Sequence, residues 1–133
     1  MSDYNFEFFE EDGSVKLKWV YNSAEKFSND LSKFVKKQRW NDERPLSSNQ
    51  LRNFYNEFLR IRDLPSDDKS KLVQIKLLVA KVKYKKTNSP RDMKQIFVDF
   101  ITELVEQIGD SIEKFNNSCL IMEAVVGFFP KNK

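Results

Sequence analysis

Between Leu46 and Arg62 the chain reads LSSNQLRNFYNEFLRIR, and the spacing of its apolar residues leaves a helix as the regular structure that buries them together. Leu51, Phe54, Tyr55, Phe58 and Leu59 share one helical face, whereas Arg52, Asn53, Asn56, Arg60 and Arg62 fall largely off it. Ser47 is placed to accept the N–H groups of a first turn, and Gln50, three residues on, to reach back as in a capping box. A helix therefore starts at Ser47 and ends near Asp63 and Leu64, before Pro65, packed on one side and cationic on another.

The same spacing recurs along most of the chain. A helix from about Val20 to Gln38 places Ala24, Phe27, Leu31, Phe34 and Val35 inside and leaves Lys33, Lys36, Lys37 and Arg39 at its exit, where cations suit the helix dipole. A third, capped by Ser66 with Asp67 and Asp68 in its first turn, buries Leu72, Ile75, Leu78, Val79 and Val82. Its opposite face reads as almost all lysine: Lys69, Lys76, Lys83 and Lys86 keep near one line, and Lys81 and Lys85 form a neighbouring line beside Tyr84. After a turn at Thr87–Ser89, with Pro90 at the first helical position, a fourth helix buries Met93, Ile96, Phe97, Phe100, Ile101, Leu104 and Ile108 and stops at Gly109. A fifth, from Asp110 or Ser111 to Pro130, buries Ile112, Phe115, Cys119, Met122 and Val126. The expected fold is all-α, a compact bundle of about five helices over residues 20–130. Residues 1–19 form an acidic, aromatic N-terminal arm with two readings: a short hairpin turning at Glu11–Gly13, or a frayed tail.

At 133 residues the chain has room for one domain with a real core. Histidine is absent, which removes the commonest general base, metal ligand and nucleophile partner. Serines and carboxylates sit at cap positions, without a glycine-rich phosphate loop or a cluster of metal ligands, so catalysis and a cofactor are not expected. The single cysteine, Cys119, reads as a small buried hydrophobe. No apolar run is long enough to span a bilayer and the start is acidic, so the cytoplasm is the expected compartment and no membrane partner is implied.

Charge is unevenly divided. Residues 1–13 carry −5, residues 14–91 carry +11 and residues 92–133 carry −3, for a net +3. A basic middle between acidic ends suits a surface that meets a polyanion; the competing reading is an adaptor whose basic face takes an acidic protein and whose acidic ends bind a like copy. Solvated helix faces usually mix acids with bases, yet no acid occurs between Lys69 and Arg91. Trp40 and Tyr84 have a core reading and a base-stacking one.

Three stretches taken in order resemble the small helical subunit of type III-A CRISPR effector complexes, the Csm complexes. They are VYNSAEK at Val20–Lys26, LSSNQLRNFY at Leu46–Tyr55 and MEAVVGFF at Met122–Phe129, with a weaker basic-aromatic match at Lys81–Arg91. The resemblance covers roughly residues 20–130. It implies a non-catalytic, RNA-binding subunit, present in several copies stacked along the crRNA and its target RNA, beside the backbone and large subunits. On that reading Arg52, on the matched motif, is the first candidate for a phosphate contact, since a guanidinium suits bidentate binding. Arg44, Lys36 and Lys37 flank the same turn, and Gln50 either caps the helix or touches RNA. Lys76, Lys81, Lys83, Lys85 and Arg91 complete the RNA-binding set by pattern alone.

Overall fold

The computed structural model describes residues 4–37 and 42–130. Among these residues five helices form the bundle: α1 (Asn22–Leu31), α2 (Ser48–Arg62), α3 (Asp68–Asn88), α4 (Gln95–Ile108) and α5 (Ile112–Phe128), preceded by a 3-10 turn at Leu17–Val20. No helix of the described chain is long and apolar enough to cross a membrane. α5 packs against each of the other four helices and the 3-10 turn, so it forms the axis of the bundle. Accordingly it buries Phe115, Ser118, Cys119, Ile121, Met122 and Val125. Its inner face runs through Ile121 and Val125, and the predicted Val126 is only half-buried.

Local signals set several boundaries. Ser47 accepts the Gln50 N–H at 3.0 Å and starts α2. Ser111 does the same for Lys114 at 3.0 Å and starts α5. Gly109 ends α4 with φ of +57°, a conformation in which a side chain would be strained. α3 is capped one residue later than expected: Asp67, not Ser66, accepts the Ser70 N–H, at 2.8 Å. A carboxylate at that position also satisfies the dipole.

Two boundaries differ more. α1 ends at Leu31, not near Gln38, which lies outside the described residues. Beyond it the backbone finds long-range partners: Val35 and Glu43 exchange two antiparallel hydrogen bonds of 2.8 Å, and the Leu46 N–H reaches the Leu31 carbonyl at 2.8 Å. Phe34, expected inside, is 56% exposed, and Val35 is half-buried. Likewise α3 runs through Thr87 and Asn88, and Pro90 opens an isolated turn, in which Asp92 and Met93 donate to the Ser89 carbonyl at 3.0 and 3.1 Å, before α4 begins at Gln95.

The N-terminal segment bends back on itself. Phe9 and Val15 form an antiparallel bridge, Glu10 donates to Ser14 and Lys16 to Phe8, each at 2.8 Å, and Gly13 turns the chain at φ +90°. Too short for a sheet, this bend is held by the bundle. Gln107 on α4 accepts from the Phe8 N–H at 3.0 Å and donates to the Phe6 carbonyl, while Asn117 on α5 donates to the Gly13 carbonyl at 3.0 Å. Phe6, Phe8 and Trp19 point inward and are buried, while Leu17 is 80% exposed. They meet Phe27 and Phe100, whose rings stack at 4.5 Å, in an aromatic cluster where each ring contributes about 2–3 kcal/mol of burial.

Candidate nucleic-acid interface

The basic loop between α1 and α2 is pinned at its base by the Leu31–Leu46 and Val35–Glu43 bonds. Its anchor is Glu43, a buried carboxylate within a lysine- and arginine-rich run. Lys86 on α3 donates to it at 2.7 Å, Lys37 lies 3.4 Å away, and the Gln95 N–H at the start of α4 donates at 3.0 Å. Lys94, the N-cap residue of α4, makes no side-chain cap bond there, so Glu43 supplies from another segment the anion that a helix start favours. Burial alone would raise the Glu43 pKa, but these donors and the charges of Lys86 and Lys37 bring it below the ordinary carboxylate value. Lys86 also donates to the Pro90 and Met93 carbonyls, each at 2.8 Å, and so ties the turn before α4 to the same point. Lys94 is fully buried nearby with no hydrogen-bond partner on its amine among the described residues, and burial lowers its pKa.

Around this anchor the candidate cations divide. Lys37, Glu43, Lys86, Arg91 and Gln95 line one cavity of about 270 Å³. Arg44 pairs with Asp92 at 2.7 Å and donates its backbone N–H to the Arg91 carbonyl at 2.7 Å. Lys36 is exposed with no ion pair among the described residues. Lys37 is no longer a dipole-compensating residue at a helix end, because no helix reaches it. Arg39 and Trp40 lie outside the described residues.

On α2, Arg52 is exposed and has no ion pair among the described residues. It sits in the first turns of the helix, at the edge of a groove shared with Ser48 and with Val126, Gly127, Phe129 and Pro130 at the end of α5. Thus two of the stretches that carry the resemblance, far apart in sequence, meet at this groove. Gln50, half-buried, contributes its backbone N–H to the Ser47 cap. The other arginines of the helix are occupied. Arg60 grips Glu57 with two bonds of 3.1 and 2.6 Å, and Arg62 grips Asp63 at 2.9 and 3.2 Å.

The lysines of α3 are partly neutralised by acids from other elements. Lys81 reaches Glu57 of α2 at 2.7 Å, and Lys76 lies 3.6 Å from Asp110 and donates to the Gly109 carbonyl at 2.8 Å. Glu57, gripped by Arg60 and then by Lys81, is held at about 2, well below an ordinary 4.5. Lys69, Lys83 and Lys85 are exposed without an ion pair among the described residues. Nor is the outward face of α3 lysine throughout. Val73, Leu77 and Tyr84 are 53%, 43% and 68% exposed, and with Ala80 they form an apolar stripe opposite Ile75, Leu78 and Val82. The two lysine lines flank this stripe.

The structure thus gathers Lys37, Arg91 and the Arg44 backbone around Glu43. Arg52 stands apart at the α2–α5 groove, and Lys81 and Lys85 line a third groove with Asn53 and Tyr84. The sequence reading missed Glu43 and Lys94. Lys94 had a signal: it lies three and seven residues before Phe97 and Ile101, on the apolar line of α4. Among the described residues no group of His, Cys, Asp and Glu converges to hold a metal. No curated protein and no solved structure gives a significant match to the chain. The model of the family described as Csm2 Type III-A matches residues 22–131, including the Ser47-capped arginine helix and the end of α5 that meet at the groove. The chain belongs to this family, the small structural subunit of the type III-A CRISPR Csm complex, which assembles with the other Csm subunits.

Proposed function

We propose that the chain is a non-catalytic, RNA-binding subunit that stacks in several copies along the crRNA and its target RNA and holds the target strand through phosphate contacts. The observation that carries the reading is Arg52: a guanidinium on a rigid, side-chain-capped helix, exposed and without an ion pair among the described residues. An arginine already committed to a carboxylate must break that pair to bind a phosphate; Arg52 has no such cost. Lys36 on the pinned loop offers a second cation without an ion pair among the described residues. Phosphate contacts of this kind carry no sequence information, and guide pairing supplies it instead. A cytoplasmic location, where guide and target RNA meet, goes with this role.

The test is RNA retention by the assembled complex carrying Arg52→Glu with Lys36→Glu. Both side chains are exposed, so assembly should survive while target RNA is lost at lower salt. Each phosphate contact removed should flatten log K against log salt by roughly 0.7–0.9. Unchanged retention and slope would leave the chain an adaptor between protein subunits, without direct RNA contact.

A further inference from the structure

The apolar stripe on α3 has no counterpart to pack on among the described residues. Leucine, valine and tyrosine spaced over three turns of one outward helix face are the pattern of a buried helix, and here that face is open. Its frame narrows the partner. Lys69 and Lys83 on one side and Lys85 on the other are unpaired among the described residues, so a second α3 laid against it would set lysine against lysine. The occupant must be apolar at its centre and acidic at its edge.

The chain carries such a surface elsewhere. Val20, Leu120, Ala124, Gly127 and Phe128 line a groove of about 520 Å³ between α5 and the 3-10 turn, with Glu123 at its edge. Leu120 is 51% exposed, and Glu113 lies two turns before it on nearly the same line of α5. Neither Glu113 nor Glu123 has an ion pair among the described residues. From Phe115 to Pro130 there is no basic residue, just as there is no acid between Lys69 and Arg91.

We propose that the α3 stripe of one copy docks in the α5 groove of the next. Leu77 and Tyr84 meet Leu120 and Phe128, and the flanking lysines meet Glu123 and Glu113. The contact is heterologous, with different patches on the two partners, so each bound copy leaves one stripe and one groove open for another. This rests on the stacked-copy reading and names its two faces. It also takes the centre of α3 away from RNA and leaves RNA contact to Arg52 and Lys36.

Sedimentation velocity of the full-length, RNA-free protein over a concentration series tests it. Wild type should associate beyond a dimer as concentration rises. Leu77→Asp and, separately, Leu120→Asp should each weaken association by about tenfold or more, as expected for a central apolar anchor, with an unchanged circular dichroism spectrum because both side chains are exposed. An equal mixture of the two variants should form dimers that grow no further, since each pair retains one intact stripe and one intact groove. Arg52→Glu should associate as wild type does, which separates this contact from RNA binding. A wild type that stays monomeric, either variant associating normally, or a mixture that stays monomeric overturns the proposal. So does a Leu77→Asp chain that keeps self-association but loses RNA, which would make the stripe a nucleic-acid contact.

Discussion

α2 and α3 lie side by side and both are rich in cations, yet they hold their charge differently. On α2 the arginines near the C-terminus are locked to neighbours in sequence, Glu57 and Asp63, and the one near the N-terminus, Arg52, is open. Along α3 no acid follows Asp68, and neutralisation of the later lysines arrives from a distance: Glu57 for Lys81, Asp110 for Lys76 and Glu43 for Lys86. A dense run of lysines is therefore a poorer guide to available charge than a single arginine whose surroundings supply no acid. Their outward faces differ too, since α3 shows an apolar stripe between its lysines.

The largest effect should come from the acid that joins the basic loop to both α3 and α4. Glu43→Ala leaves the charge on Lys86 uncompensated, removes the partner of the first α4 N–H, and should cost about 3 kcal/mol in urea unfolding at pH 7. Lys94→Met provides the opposite sign: with its buried amine unpartnered among the described residues, an apolar replacement of similar length should be neutral or stabilising by about 1 kcal/mol in the same assay. A Lys94→Met protein as damaged as Glu43→Ala would mean the two act as one pair.

Glu57 joins α2 to α3 and should matter less. Its pKa is depressed to about 2 in the folded chain, so its stabilisation is present above the ordinary 4.5 and is lost as pH falls toward 2. Glu57→Gln should cost about 1 kcal/mol at pH 7, discounted for solvent screening, and close to nothing near pH 2. A cost independent of pH would show that packing, not charge, joins the helices. Smallest of all, Lys83→Glu should change unfolding by less than about 0.5 kcal/mol, because no ion pair among the described residues is lost. A larger loss would place Lys83 in a pair like that of Lys81.

Most of the helical scaffold was legible because its signals are local. Ser47, Gly109 and Ser111 mark ends by chemistry within one turn, and Phe54, Phe58, Phe97 and Phe100 mark faces by spacing. What was not legible depended on distant segments. Phe34 and Val35 continue the spacing of α1, but a bridge to Glu43 draws Val35 out of the helix and leaves Phe34 in solvent. Pro90 looked like a helix start, whereas α4 waits for Gln95 because its anion comes from Glu43. The α3 stripe was hidden by its neighbours in sequence: Val73 and Leu77 adjoin the inward Leu72 and Leu78, Tyr84 stands between Lys83 and Lys85, and the three do not look like a face until the helix is built. For the candidate site, Arg52 could be named from the sequence but its lack of an ion pair among the described residues could not, since which carboxylates come within its reach is set by the packing of the whole bundle.

The aromatic bend at the N-terminus has a practical consequence for anyone choosing where to start the chain. The family match begins at residue 22, but Phe6, Phe8 and Trp19, all before it, close over Phe27 and Phe100. A chain begun at Asn22 would keep every helix and open the rings beneath them to water, with Tyr4 no longer bonded to Asp30 and the Gln107 amide without its backbone partners. Such a truncation should show a helical far-ultraviolet spectrum, bind a hydrophobic dye and unfold with reduced cooperativity. A recombinant boundary drawn from family likeness alone would thus yield a protein that looks folded by one measure and behaves as sticky by another.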